Sequence, residues 1–137
     1  MTAEVSCSVL LVDDEVEFVA TVAKRLKRRG LEVGTAHSGE EALEQIEVGA
    51  PDVVILDVKM PGLSGIETLK RIRQENPLVE VIMLTGHASV DVAIEGMEMG
   101  AFDYLMKPVG IDELIYKIQD AFRKKSIQEA KIKSLED

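Results

Sequence analysis

The chain has 137 residues, 46% of them hydrophobic and 30% charged, with a formal charge of -9. That is enough to close one core and short for two, and no run of about 18 apolar residues or basic-then-apolar leader marks a membrane span or a signal peptide, so a cytoplasmic protein is expected. The acidic balance disfavours direct nucleic-acid binding and suits a basic partner or a metal ion.

Cys7, the sole cysteine, opens the first apolar run. With no partner in the chain it excludes an internal disulfide, argues against a Cys-based metal cage and reads as a buried small hydrophobe. Runs rich in Val, Ile and Leu at Val9 to Val12, Val53 to Leu56 and Val81 to Leu84 predict strands buried on both faces. Weaker strands fit Glu32 to Ala36 and Asp103 to Met106. Helical spacing lies between them: Val19, Val22, Ala23, Leu26; Ala42, Leu43, Ile46; Ile66, Leu69, Ile72; Val90, Ala93, Ile94, Met97; and Leu114, Ile115, Ile118, Phe122. Gly30 punctuates the end of the first helix, Ser38 and Ser64 are candidate N-caps of the second and third, and Pro77 lies just past the third. Strand and helix alternate five times, which predicts a parallel sheet with helices on both faces and all strand C-termini at one edge. Ligands bind at that edge in such sheets. Residues 1-124 are read as one domain and 125-137 as a helical extension or the start of a linker. From Asp120 onward five basic residues face four acidic ones, leaving about -10 for residues 1-119.

The residues at the strand ends carry the chemistry. Asp13 and Asp14 follow the first strand, Asp57 ends the third, Thr85 follows the fourth, and Lys107-Pro108 follows the fifth. Singly, each has an ordinary reading: helix-capping carboxylates, a turn former, a capping hydroxyl, a surface lysine. Together, three converging carboxylates repel one another and need a cation. Mg²⁺ is held by one or two carboxylates plus phosphate oxygens, and Thr85 and Lys107 supply a donor and a positive charge for an anion beside it. That set is arranged for phosphoryl transfer to a carboxylate.

"LLVDDE" at 10-15, "ILDVKMPGLSG" at 55-65, "MLTG" at 83-86 and "YLMKP" at 104-108 resemble the receiver domain of bacterial two-component response regulators, over roughly residues 7 to 124. The resemblance implies a flavodoxin-like, doubly wound sheet of five parallel strands in the order 2-1-3-4-5 with five helices. It implies Asp57 as phosphoacceptor, Mg²⁺ bound by Asp14, Asp57 and the Lys59 backbone carbonyl, with Asp13 acting mainly through a water. Thr85 would donate to the phosphoryl group, Lys107 would pair with it, and Pro108 would follow a cis peptide. The phosphoryl source would be a phosphohistidine on a sensor histidine kinase or phosphotransfer protein, and the chain would catalyse only its own phosphorylation and dephosphorylation.

In the family Thr85 moves toward the phosphate and the aromatic at Tyr104 turns into the vacated space, remodelling residues 87-123 to control an output domain or partner, or a homodimer formed on phosphorylation. A half-buried strand tyrosine is the plainer reading of Tyr104. A long cation at Lys59 would cover the phosphoryl group and lengthen its lifetime. His37 and His87 read as surface loop residues. A haloacid-dehalogenase phosphatase would want an acid where Lys59 stands, and a flavodoxin would want a Ser/Thr/Gly phosphate loop in place of Asp13-Asp14-Glu15. A degenerate receiver acting as a binding module, or a stand-alone relay intermediate, shares the fold. The stretch 87-108 resembles that of receivers that precede ATPase domains activating transcription.

Overall fold

The computed structural model describes residues 7-60, 62-86 and 90-136. Five strands, β1 (Ser8–Val12), β2 (Glu32–Ala36), β3 (Val53–Asp57), β4 (Glu80–Thr85) and β5 (Asp103–Met106), alternate with α1 (Val16–Arg28), α2 (Gly39–Val48), α3 (Gly65–Glu75), α4 (Val90–Glu98) and α5 (Ile111–Glu136). All strand pairs are parallel, in the order β2-β1-β3-β4-β5. The expected architecture is therefore the observed one. β3 and β4 are buried at every position, their apolar runs and also the polar Asp57, Glu80 and Thr85 at their ends.

Side-chain alternation divides the core in two. Val9, Leu11, Val53, Ile55, Ile82 and Leu84 face α1 and α5, where Val19, Ala23, Leu26, Leu114 and Ile118 meet them. Leu10, Val12, Val54, Leu56, Val81 and Met83 face the opposite side, covered by Ala42, Ile46, Leu69 and Ile72 of α2 and α3. Both predicted caps form: the Ser38 and Ser64 hydroxyls accept from the Glu41 and Glu67 N–H groups at 3.0 and 3.1 Å. Gly30, past the end of α1, has φ +91°, where a glycine is favoured. Cys7 is buried, and burial and the Asp52 charge push its thiol up to about 12 against the opposing Lys125 charge, so it packs as an inert hydrophobe.

One element differs from expectation. The stripe read on α4 does not face the core: Ala93 and Gly96 are buried, whereas Val90, Ile94 and Met97 are exposed. Small residues bring this helix close to the sheet, and a Cβ on Gly96 would lie 2.1 Å from the Met83 terminal methyl. The tail, read as a helical extension or the start of a linker, continues α5 as one helix of 26 residues to Glu136. Its departure from the body is pinned at the N-terminal edge of the sheet. Lys125 Nζ lies 2.6 Å from Asp52, whose other oxygen accepts the Ser8 N–H at 2.8 Å. Lys124 reaches Glu80, buried beside Arg73, at 3.4 Å.

The first turn of α3 sits directly under the end of β3. A Cβ on Gly65 would meet the Val58 Cα at 2.5 Å and the Asp57 carbonyl at 2.7 Å, both backbone atoms without freedom to yield. Gly65→Ala is expected to lower stability in urea denaturation by about 2 kcal/mol or more. Gly49→Ala, where nothing lies within 4 Å of a Cβ, should change it by no more than about 0.5 kcal/mol. Equal stability of the two variants would contradict this packing.

Candidate functional site: an acidic cluster at the strand ends

Register brings the predicted residues together. Val12 pairs with Leu56, so Asp13 and Asp57 are the next positions of adjacent strands. Asp57 itself pairs with Leu84, and Thr85 pairs with Met106. Oxygens of Asp13, Asp14 and Asp57 lie within 4.8 Å of one another. Asp13, Asp57 and Thr85 are buried, while Asp14 is exposed at the rim. The chain thus runs its most apolar strand into Asp57 because the strand end delivers that carboxylate to a shared, solvent-shielded cluster.

Each carboxylate has few donors. Asp13 Oδ1 accepts the Glu15 N–H at 3.0 Å, and Asp57 Oδ1 accepts the Lys59 N–H at a long 3.3 Å. Asp13 Oδ2 is buried with no well-directed hydrogen bond, although the Lys107 ammonium lies 2.7 Å away as an ion pair. Asp13 therefore serves α1 only through an Asx-type turn, and the N-cap residue, Glu15, makes no side-chain cap. Burial pushes Asp57 up from an ordinary 3.8 to about 6. The Asp13 charge adds to the rise, and Lys107 and the Lys59 N–H oppose it.

Lys107 is the cluster's cation. Its Nζ lies 2.8 Å from Glu15 and 3.8 Å from Asp57, and stands 4.7 Å over the Phe18 ring. Burial disfavours its charge, but the bonds to Asp13 and Glu15 outweigh this and raise its pKa. The Lys107-Pro108 peptide is cis. The Lys107 N–H donates to the Thr85 carbonyl at 2.8 Å, tying the ends of β4 and β5. Lys59 is exposed at the mouth, and Tyr104 is 42% exposed on β5, with its side chain open to solvent.

His37 lies in the loop after β2. It is half-buried, and Nδ1 lies 3.2 Å from the Asp13 carbonyl. His87 falls outside the described residues. Sequence reasoning did not single out Glu15, Phe18 or Glu40 for the site. Glu40 accepts the Leu63 N–H at 3.2 Å and so braces the loop after Asp57. Pairings across 92 and 23 residues leave no trace in local pattern. Gly65, within a quoted motif, was visible, but its role as a close-approach residue was not.

The donors suit a hard divalent cation: three carboxylates converge, one carries a buried oxygen without a directed hydrogen bond, and Asp13 and Asp57 share one ammonium with Glu15. Without a cation the crowding costs stability, and the sign follows from Asp57. Its folded pKa lies above the unfolded one, so its contribution is fully present below about pH 3.8 and is lost as pH rises through about 6. In metal-free buffer at pH 7.5, Asp57→Asn is expected to be more stable than the parent by roughly 1 to 3 kcal/mol. The gap should close toward pH 4. Chemical denaturation of both proteins at the two pH values checks this, and an Asp57→Asn variant less stable than the parent at pH 7.5 would contradict it.

The sequence matches the response regulator receiver domain family over residues 9–119. The chain is 38% identical over 111 residues to the DNA-binding transcriptional regulator NtrC of Klebsiella pneumoniae, covering 81% of this chain and 24% of that protein. It is 38% identical over 119 residues to the alkaline phosphatase synthesis transcriptional regulatory protein PhoP of Bacillus subtilis, covering 87% of this chain and 50% of that one. The chain thus spans half or less of these relatives. Among solved structures it resembles a response regulator receiver domain protein of Clostridium thermocellum, with a TM-score of 0.85 and 40% identity over 89% of this chain and 98% of that one. With the fold, the acidic cluster and the family match in agreement, the chain belongs to the response regulator receiver domains.

Proposed function

We propose that Asp57 is the phosphoacceptor of a two-component phosphorelay and that the chain couples its phosphorylation to an output through the surface of α4, β5 and α5. The observation that carries this reading is the cluster itself: a buried strand-end carboxylate beside Asp13 and Asp14, with Lys107 and Thr85 around it. An oxygen of Asp57 forms the new O–P bond while the N–P bond of a phosphohistidine breaks. The imidazole leaves with that electron pair and takes up a proton. The donor would be a sensor histidine kinase or phosphotransfer protein.

Asp13, Asp14, Asp57 and the Lys59 carbonyl would hold Mg²⁺, which when bound neutralises carboxylate charge and stabilises the transferring phosphoryl oxygens. Lys107 supplies a second positive charge and Thr85 a hydroxyl donor. Asp57 is nucleophilic only when ionised, which a cation and Lys107 favour against its burial. Besides this self-directed phosphoryl transfer and its hydrolysis, we assign the chain no enzymatic activity.

The new charge at Asp57 gives Thr85 a strong acceptor. Thr85 is buried at the end of β4, and Tyr104 stands outward on β5, so a shift of Thr85 opens space for the Tyr104 ring to turn inward. Ile94, Met97, Tyr104, Met106 and Tyr116 are exposed on these elements and would be read by an output domain, a partner or, after phosphorylation, a second copy. Relatives named as transcriptional regulators support control of transcription as that output. The acidic body supports contact with nucleic acid through another domain rather than through this one. No helix among the described residues is long and apolar enough to cross a membrane, which is compatible with action in the cytoplasm.

Incubation with acetyl phosphate and Mg²⁺ should add one phosphoryl group by intact mass. Chelation of the metal or Asp57→Asn should abolish the gain, and retention of the adduct in the Asp57→Asn variant would remove Asp57 from its role. Lys59, exposed at the mouth, should shield the acyl phosphate from water. Lys59→Ala is expected to shorten its lifetime about two- to five-fold, whereas an unchanged decay rate would deny Lys59 that function.

A further inference from the structure

We infer that Glu15 is a positioning residue that holds Lys107 away from the acceptor until phosphoryl transfer. The inference rests on the phosphoacceptor reading of Asp57 and extends it to a residue outside the proposed ligand set. Lys107 must meet a phosphoryl group on Asp57, yet its Nζ sits 3.8 Å from Asp57 Oδ2, beyond hydrogen-bonding distance. It makes much shorter contacts with Asp13, at 2.7 Å, and Glu15, at 2.8 Å. Asp13 cannot leave, being buried at the end of β1. Glu15 can: its side chain is 63% exposed, and although it is the N-cap residue of α1, its carboxylate makes no cap. Nothing in the helix requires the carboxylate to point at Lys107.

The Glu15 contact therefore acts as a releasable tether across 92 residues of sequence. Phe18, further along α1, offers the aliphatic stem and ammonium a surface along which to swing. When a phosphoryl group approaches Asp57, its oxygens are stronger acceptors than an exposed carboxylate, and Lys107 exchanges Glu15 for them. Glu15 returns to solvent at small cost because it is mostly hydrated already. Before transfer, however, the tether withholds part of the positive charge that the incoming donor needs.

Glu15→Ala should accelerate phosphorylation by acetyl phosphate at saturating Mg²⁺ about two- to five-fold, the scale of one partly exposed ion pair. Removing a negative charge from the mouth could also help an anionic donor, so the decisive measurement is the double-mutant cycle with Lys107→Ala. Tethering predicts that Glu15→Ala changes nothing once Lys107 is absent, whereas plain repulsion predicts the same acceleration in both backgrounds. The first result supports the inference. The second, or an unaccelerated single variant in a protein that is otherwise phosphorylated on Asp57, overturns it and leaves the phosphoacceptor reading intact. A parent protein that gains no phosphoryl group on Asp57 removes both.

Discussion

Three carboxylates that the backbone will not let separate are the constraint on which this structure turns. Asp13 and Asp57 sit at consecutive register positions of neighbouring strands, and strand spacing of about 4.8 Å fixes their distance before any side chain is placed. Asp14 completes the set from the rim. Mutual repulsion cannot be relieved by moving the backbone without breaking a core in which both strands are nearly wholly buried. It can be relieved only by protons, by Lys107 or by a bound cation. Burial and then the Asp13 charge raise the pKa of Asp57, and the neighbouring carboxylates raise that of Lys107 against its burial.

The rest of the molecule keeps the imbalance in place. Two cores clamp the sheet from both faces, so the strand ends are rigid. Below Asp57 the chain turns into α3 through Gly65, which lets helix backbone approach strand backbone more closely than any side chain allows. Glu40 braces the same loop from α2. By contrast, α4 is held less tightly. α4 fully buries only Ala93 and Gly96, with Val92 half-buried against the core and Val90, Ile94 and Met97 exposed.

Most of this was legible in the sequence because it depends on period and order. Apolar runs of strand length ending in Asp13-Asp14, Asp57, Thr85 and Lys107 put the cluster on one edge once alternation implied a parallel sheet. β2 and β5 fell on their predicted residues, and Ser38 and Ser64 capped their helices because capping is a local property. What escaped was non-local. The partners of Lys107 include Glu15 and Phe18, neither marked by spacing. His37 lies against Asp13 because β2 is the register neighbour of β1, a relation that a count along the chain does not reveal. The outward turn of Val90, Ile94 and Met97 was misjudged because helical periodicity gives a stripe without saying which side is buried. The small pair Ala93 and Gly96 was the better guide.

The continuous α5 gives the domain a mechanical property. At about 1.5 Å per residue its 26 residues span roughly 39 Å. Its first half packs on β4 and β3, and Lys124 and Lys125 fasten its midpoint to Glu80 and Asp52 at the edge of the sheet remote from Asp57. A rod packed along one half and fastened at its middle is a lever with its fulcrum inside the fold. A small tilt where α5 meets β5 swings the free half through a comparable arc in the opposite direction, on the far side of the molecule. The direction in which the free half leaves the fold, at the edge opposite Asp57, is thus set by the packed half.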